Sequence, residues 1–383
     1  MIIRSRGEDS STGIISGIMW SANINPCFNL VSLIGQSASD VSVIITHTDD
    51  SSLAGHPAFA SNVKIVEIIH NLGQHKVYRV IYYILTQLRI LYATLSYLRD
   101  KKTWIFFIDN GLILPMISAK LLRKKTLIIL GGNKDLEIKI RKDYFDYIAH
   151  CFAKLNLHLC DRIVVYSPGL ISSWNLEKHR DKIIATHRHF LDFGKFKVVT
   201  DFNDRSLLIG YIGRLSREKG ILNLVQALPF LLRDHGDIHM MICGSGDMEE
   251  EIKEYLQKNN LLNSVSICGW IRHDDLPNHL NKLKLLVMPS YTEGLPNVML
   301  EAMACGTPVL ATPVGAIPDV IIDGKTGFIM ENNSPECIAE NVIRALNSPD
   351  LERIAEDGRR FVEENFTFET VVENWRRILH DIA

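Results

Sequence analysis

Two acids, Glu293 and Glu301, flank a tight turn, Gly294-Leu295-Pro296-Asn297, that leads into a helical pattern beginning near Val298. The surrounding segment, Met288 to Thr312, reads strand, polar loop, helix, glycine turn, strand. The first N–H groups of a helix lack partners and the dipole is positive at that end, so the backbone at Asn297 and Val298 is expected to favour an anion. Glu301 falls about one turn, roughly 5.4 Å, further along. A carboxylate accepts from both hydroxyls of a diol, which suits a ribose. A sugar nucleotide fits this end: diphosphate on the N–H groups of Asn297 and Val298, ribose at Glu301, sugar directed back toward Glu293. On spacing alone, a capped helix with two unrelated surface acids is also compatible.

A second group lies in Gly210 to Leu228, where an apolar run ends at Gly213-Arg214 and Lys219-Gly220 opens the next helix. Two cations at the carboxyl end of a strand would hold a diphosphate and stabilise the charge that grows as it departs. The chain has no Asp-x-Asp pair to bring a divalent ion to that task. No metal or cofactor is therefore expected. Two solvated loop cations would look the same in the sequence. Gly244-Ser245-Gly246 and the run Ile267 to Ile271, with Trp270, end two further strands at the same expected edge. Backbone there would contact a nucleobase beside Trp270, or Trp270 is a packed core residue.

Positioning these groups requires a parallel α/β framework, and the pattern supplies one twice. Strands are expected at Ile14–Met19, Val41–Thr46, Val63–Ile68, Trp104–Ile108, Thr126–Leu130, Arg162–Tyr166 and Lys182–Thr186, with helices near Pro26–Ser37, Tyr78–Leu98, Leu112–Leu122, Tyr144–Leu159 and Gly169–Leu176. The polar stretch Lys195–Arg205 breaks the rhythm and reads as a linker. Strands then resume at Leu207–Ile212, Ile238–Cys243, Val265–Cys268, Leu285–Met288, Val309–Ala311 and Phe328–Met330, with helices opening near Gly220, Met248, Asp275, Val298, Ile317 and Pro335 and two more closing the chain. Continuous apolar strands alternating with helices mean parallel sheets covered on both faces. The expected organisation is a domain over 1–200, a second over 201–367, and a helix over 368–383 that packs back on the first. Doubly wound sheets bind ligands outside their carboxyl ends, and two facing domains would place the site in the cleft between them.

Composition narrows the class. The 383 residues, 46% apolar and 22% charged with a net charge of −2, belong to a globular protein and argue against nucleic acid as a partner. Residues 1–200 hold 25 Lys and Arg against 16 Asp and Glu, and residues 201–383 hold 17 against 28, so the two halves are built for different partners. Seven cysteines lie apart with no C-x-x-C pair, which speaks against a disulfide framework or a zinc site and for a reducing compartment. The most apolar window, Val77 to Leu98, is interrupted by Arg79, Gln87 and Arg89, too polar to span a bilayer. The expected location is cytoplasmic.

The second half resembles the nucleotide-binding domain of the retaining GT-B glycosyltransferases, glycosyltransferase group 1, family 4. The likeness rests on Gly213-Arg214-Leu215 with Lys219-Gly220, Gly244-Ser245-Gly246, Pro289-Ser290 running into the Glu293/Glu301 element, Ala302 to Val309, and Asp323 to Phe328. It covers about Ile209 to Phe366. The resemblance implies a GT-B fold of two Rossmann-like domains and transfer of a sugar, with retention, from a UDP- or GDP-sugar to a glycan or lipid-linked acceptor, giving an α-linkage without a metal. It also implies that Arg214 and Lys219 bind the donor diphosphate, Glu301 the ribose, Glu293 a sugar hydroxyl, and the Gly294–Val298 backbone, Leu295 and Asn297 included, sugar and phosphate. Two other proteins would share these features: a non-catalytic nucleotide-sugar-binding module and a sugar-nucleotide 2-epimerase.

The first half matches less well. Arg162 to Asn175 and His187 to Phe196 resemble family segments, but Ser21 to Asn25 replaces a glycine-rich loop, and Gly131 to Asp135 stands where the family carries a His. Asn133 or Lys134 would take part of that role on the acceptor side. His187 and His189 read as satisfied or solvent-facing. Lys101-Lys102, Arg123 to Lys125 and Lys139 to Lys142 cluster around the apolar helix Tyr78–Leu98. That combination suits docking on an anionic membrane surface, at the inner membrane face, as well as a buried helix with solvated lysines nearby.

Overall fold

The computed structural model describes residues 12–18, 41–47, 63–69, 76–95, 103–108, 111–131 and 144–382. They form two compact units, Met1–Phe190 with Phe368–Ala383, and Leu191–Thr367. The first is built on a parallel sheet of β1 (Thr12–Ile18), β2 (Val41–His47), β3 (Val63–Ile69), β4 (Thr103–Ile108), β5 (Lys125–Ile129), β6 (Arg162–Val165) and β7 (Ile183–Ala185), in the order β3-β2-β1-β4-β5-β6-β7. Its described crossover helices are α1 (Lys76–Leu95), α2 (Ile113–Leu121), α3 (Tyr144–Leu159) and the short α4 (Leu170–Ser173). All seven strands fall where the β-branched runs place them. The helix expected near Pro26–Ser37 lies outside the described residues.

The second unit repeats the plan with β8 (Leu208–Ile212), α5 (Ile221–Asp234), β9 (His239–Cys243), α6 (Glu249–Lys258), β10 (Val265–Gly269), α7 (Leu276–Leu280), β11 (Leu285–Met288), α8 (Asn297–Ala304), β12 (Val309–Ala311), β13 (Phe328–Ile329), α9 (Pro335–Leu346) and α10 (Leu351–Asn365). The sheet order is β10-β9-β8-β11-β12-β13. Leu285, Leu286 and Val287 of β11 are wholly buried, as a strand covered on both faces must be. In both sheets the winding reverses beside the first strand, at β1/β4 and at β8/β11, which is where a doubly wound sheet opens a crevice at its carboxyl edge.

Two segments differ from the sequence reading. Around Ile317 there is only a 3₁₀ turn, Ile317–Asp319. Pro318 lacks an N–H, and Thr326 Oγ1 donates to Val320 O (2.7 Å) while accepting from Ile322 N (2.9 Å), so a side chain takes the place of helical partners. The stretch Lys195–Arg205 is no free linker but part of the second unit. Asn281 accepts from Val199 N (2.8 Å) and donates to Lys197 O (3.0 Å). Arg205, 5% exposed, donates to the carbonyls of Thr200, Leu283, Cys305 and Gly306 and to Thr307 Oγ1.

The last helix, α11 (Phe368–Ile382), belongs with the first unit. Trp375 is fully buried and its indole N–H donates to His187 O at 2.9 Å, while Phe368 meets Phe190 edge-on with ring centres 4.9 Å apart. His187 is satisfied, with Nδ1 3.1 Å from His189 O, and burial pushes it down to about 4, so it is neutral at pH 7. His189 is not satisfied in the same way. Burial first, then the adjacent Arg188 charge, push it well below the usual imidazole range, and its Nδ1 is buried with no partner among the described residues.

Candidate functional site

The loops that follow β8 and β11 meet at the switch point of the second sheet. Gly213 N donates to Cys243 O (3.0 Å), and a Cβ on Gly244, whose φ is +144°, would stand 1.8 Å from Gly213 O. Only glycine allows that approach. Tyr211 Oη donates to Arg214 O (2.6 Å), fixing the backbone while the Arg214 side chain stays 54% exposed, its nearest acid Glu218 at 3.4 Å. Gly220, at φ +66°, ends the 3₁₀ turn Arg217–Lys219, and a Cβ there would lie 2.0 Å from Pro289 O. The β8 and β11 loops therefore touch backbone to backbone, and this brings Lys219 to Glu293: Nζ and Oε1 are 2.7 Å apart. Ser290 Oγ donates to the same oxygen at 2.8 Å. Both contacts fall on Oε1 of a buried carboxylate.

Helix α8 begins beside this pair. Pro296 at its N-cap offers no side chain to the first N–H groups, so those of Asn297 and Val298 face the site uncapped, next to Gly294 and the buried Leu295. Glu301 lies one turn on, 6% exposed, and takes His273 Nε2 at 2.8 Å on Oε1. Lys195 Nζ sits 3.1 Å from His273 Nδ1 and 2.8 Å from Asp274. An ammonium can only donate, so Nδ1 accepts and Nε2 carries the proton given to Glu301. Glu293 and Glu301 are thus buried and partnered, not the surface acids that spacing alone allowed. Trp270 is 71% exposed, which removes the packed-core reading and leaves its ring beside the carboxyl end of β10.

Gly213, Arg214, Lys219, Glu293, Gly294, Leu295, Asn297, Val298 and Glu301 share one edge of one sheet. Asn133 and Lys134, the Ser21–Asn25 loop, Lys101-Lys102 and Lys139 to Lys142 lie outside the described residues. Sequence reading missed His273 and Lys195, and it singled out Ser290 without giving it a role. His273 had one usable signal, its place in the loop just beyond an expected strand end; Lys195 had none, because its partners are distant in the chain. Sequence spacing also kept the cysteines apart, whereas the fold brings Cys243 and Cys268 together with His279.

One buried carboxylate held by a lysine, a second held by a neutral histidine, a bare helix start and an exposed arginine at the switch point form an arrangement suited to an anionic, hydroxyl-rich ligand. Residues 192–361 match the family model for glycosyl transferases group 1. The second unit is therefore similar to glycosyl transferases group 1 over nearly its whole length, and the whole chain has the GT-B fold. An uncharacterized glycosyltransferase of Methanocaldococcus jannaschii is 29% identical over 174 residues, 45% of this chain and 48% of that protein. The capsular polysaccharide biosynthesis glycosyltransferase CapM of Staphylococcus aureus is 28% identical over 258 residues, 63% of this chain and 67% of CapM. The chain thus spans about half to two thirds of these relatives. HepE of Anabaena, solved in complex with UDP, superposes with a TM-score of 0.74 at 16% identity, covering 96% of this chain and 100% of HepE.

Proposed function

We propose that this chain is a retaining glycosyltransferase of family 4 that moves a sugar from a nucleotide-diphosphate sugar to a glycan or lipid-linked acceptor, forming an α-glycosidic bond without a metal ion. The observation that carries the reading is the Lys219–Glu293 pair beside the bare start of α8, with the half-exposed Arg214 next to them, paired only with Glu218 at 3.4 Å among the described residues. UDP bound to HepE makes UDP the first donor base to test, with GDP the second.

In this mechanism Arg214, Lys219 and the N–H groups of Asn297 and Val298 receive the diphosphate and stabilise the charge it gains as the anomeric C–O bond breaks. Glu301, oriented by His273, accepts from the ribose diol. Glu293 has both of its protein contacts on Oε1, which leaves Oε2 to accept from a sugar hydroxyl. It orients the sugar and forms no covalent intermediate. A leaving-phosphate oxygen takes the acceptor proton on the face from which the acceptor attacks, so the anomeric configuration is kept. The nucleobase is assigned to the backbone after β10, with the exposed Trp270 alongside.

Incubation with UDP- and GDP-sugars, with and without oligosaccharide or lipid acceptors and with no added Mg²⁺ or Mn²⁺, tests this directly. Free nucleoside diphosphate should appear only with acceptor, at a rate that adding either ion leaves unchanged. Donor binding without release in any mixture, conversion of the donor to its 2-epimer, or dependence on the added ion would each overturn the proposal.

The acceptor side is inferred to sit on an anionic lipid surface through α1. This helix buries Thr86, Gln87 and Thr94 alongside Tyr83 and Ile90, while Ile81, Ile84, Leu85, Leu88 and Tyr92 are between 43% and 81% exposed along one face. The buried face is held by polar bonds, Tyr83 Oη to Gly111 O and Leu114 N to Gln87 Oε1 (2.9 Å). At the end of α2, Leu121 and Leu122 are exposed beside Arg123 and Lys125, and Arg89 is exposed on α1 itself. Among the described residues no helix is long and apolar enough to cross a membrane, so the apolar face would lie along the surface. Paired Leu85→Glu and Leu88→Glu changes should cut the fraction sedimenting with phosphatidylglycerol-containing vesicles at least tenfold, since each buried leucine contributes about 1.5–3 kcal/mol. No sedimentation of the parent protein at low salt, or a lipid-free dimer abolished by the same pair, would remove the lipid as occupant.

A further inference from the structure

Strand β9 ends at Cys243. Its neighbour β10 is in register up to Ile267 opposite Ile242, and then Gly269, not Cys268, stands opposite Cys243. Cys268 is therefore the extra residue of a bulge, and its thiol is exposed, whereas Cys243 is buried. Met240 and Ile242 point into the core formed with α5, α6 and α9, a cluster that Cys243 does not join. His279, near the end of α7, completes the group: the two sulfurs and an imidazole nitrogen all lie within 4.8 Å of one another. Nδ1 of His279 is buried and has no hydrogen-bond partner among the described residues. A histidine with a buried, unpartnered ring nitrogen beside two thiols not joined in a disulfide is a donor set with ligating capacity to spare.

We propose that Cys243, Cys268 and His279 form a binding site for one thiophilic metal ion, Zn²⁺, separate from the donor site and independent of how that site is used. Tetrahedral zinc with sulfur at about 2.3 Å and nitrogen at about 2.0 Å needs its ligands roughly 3.5–3.8 Å apart, so a small contraction of the trio suffices. Two thiolates and one neutral imidazole neutralise the ion, and the exposed side of Cys268 leaves the fourth position to water. Binding releases the two thiol protons. Burial and the neighbouring Cys268 push the Cys243 thiol up, and the Lys282 charge opposes them only in part, so the ion itself must displace that proton. Cys268 and His279 bracket the segment that carries Trp270 and His273, so one ion fastens both ends of that segment to β9.

The test uses untagged protein purified under reducing conditions and dialysed against Zn²⁺ or Co²⁺. The parent protein should retain one equivalent of zinc, and its Co²⁺ form should show the near-ultraviolet thiolate-to-cobalt band and the intense visible bands of a tetrahedral site. Cys268→Ser and His279→Gln should each weaken binding at least tenfold, and the Tm rise produced by Zn²⁺ should be confined to the parent protein. The metal-free variants should melt with the metal-free parent, which separates lost ligation from lost folding. Retention of less than a tenth of an equivalent, a Co²⁺ spectrum unchanged by Cys268→Ser, or a Cys243–Cys268 disulfide in the protein as isolated would overturn the site. Neither result bears on transfer of a sugar, which is read from nucleotide release.

Discussion

Glu293→Gln is expected to lower kcat about 100- to 1,000-fold while changing the KM for donor by less than about threefold, the size of effect seen when one preorganised polar contact to a transition state is removed. The amide keeps the shape of the carboxylate, and its oxygen can still accept from Lys219 and Ser290, which in the parent lie 2.7 Å and 2.8 Å from Oε1. What is lost is the negative charge. Lys219 is then free of its counterion and should hold the nucleoside diphosphate product at least as firmly as before. Turnover and product affinity should thus move in opposite directions, a split that a folding defect would not produce. Arg214→Ala provides the contrast. Its side chain is 54% exposed and its nearest acid is 3.4 Å away, so removal should leave Tm unchanged while both kcat and donor binding fall, by about tenfold or more in kcat/KM. Equal, small losses in both variants would exclude the roles assigned to these residues.

Arg205→Ala is expected to destabilise the second unit by about 3–5 kcal/mol, the range for breaking a buried charged network by removing one partner. The guanidinium ties together groups that have no other common anchor. Nη2 donates to Thr200 O (3.1 Å) and Cys305 O (2.8 Å), and Nη1 to Leu283 O (3.1 Å), Gly306 O (3.2 Å) and Thr307 Oγ1 (2.8 Å). Cys305 caps α8, so the arginine places its positive charge at the negative end of the helix whose other end opens onto the site. Truncation strands several buried carbonyls. For a unit of this size, Tm of its transition should fall by roughly 6–20 °C, at about 2–4 °C per kcal/mol. Arg205→Lys should recover only part, because one ammonium cannot reproduce the planar fork. A calorimetric shift under about 2 °C would show that the carbonyls find other donors and that the network is dispensable.

The chain by itself determined what depends on neighbours along it. β-branched runs, glycine turns and apolar periodicity placed the strands of both sheets, and the strand-loop-helix run from Met288 to Thr312 set Glu301 one turn inside α8 with an uncapped start before it. These are consequences of local dihedral preference and hydrogen-bond accounting within a few residues, so they can be read without a fold. The sheet order decided the rest. Lys219 reaches Glu293 because β8 lies beside β11 rather than beside β10, and His273 reaches Glu301 because the loop after β10 lies at the same edge. The same holds for Arg205 under α8, which looked like linker, and for the trio of Cys243, Cys268 and His279, which spacing had kept apart. It holds for α1 as well, which reads only as an apolar helix in the sequence; the buried face, with Tyr83, Gln87 and Ile90, is settled by contacts such as Leu114 N to Gln87 Oε1. Contacts across strands join residues that no local window contains, and they exist only once the loops have closed and the sheet has chosen its order.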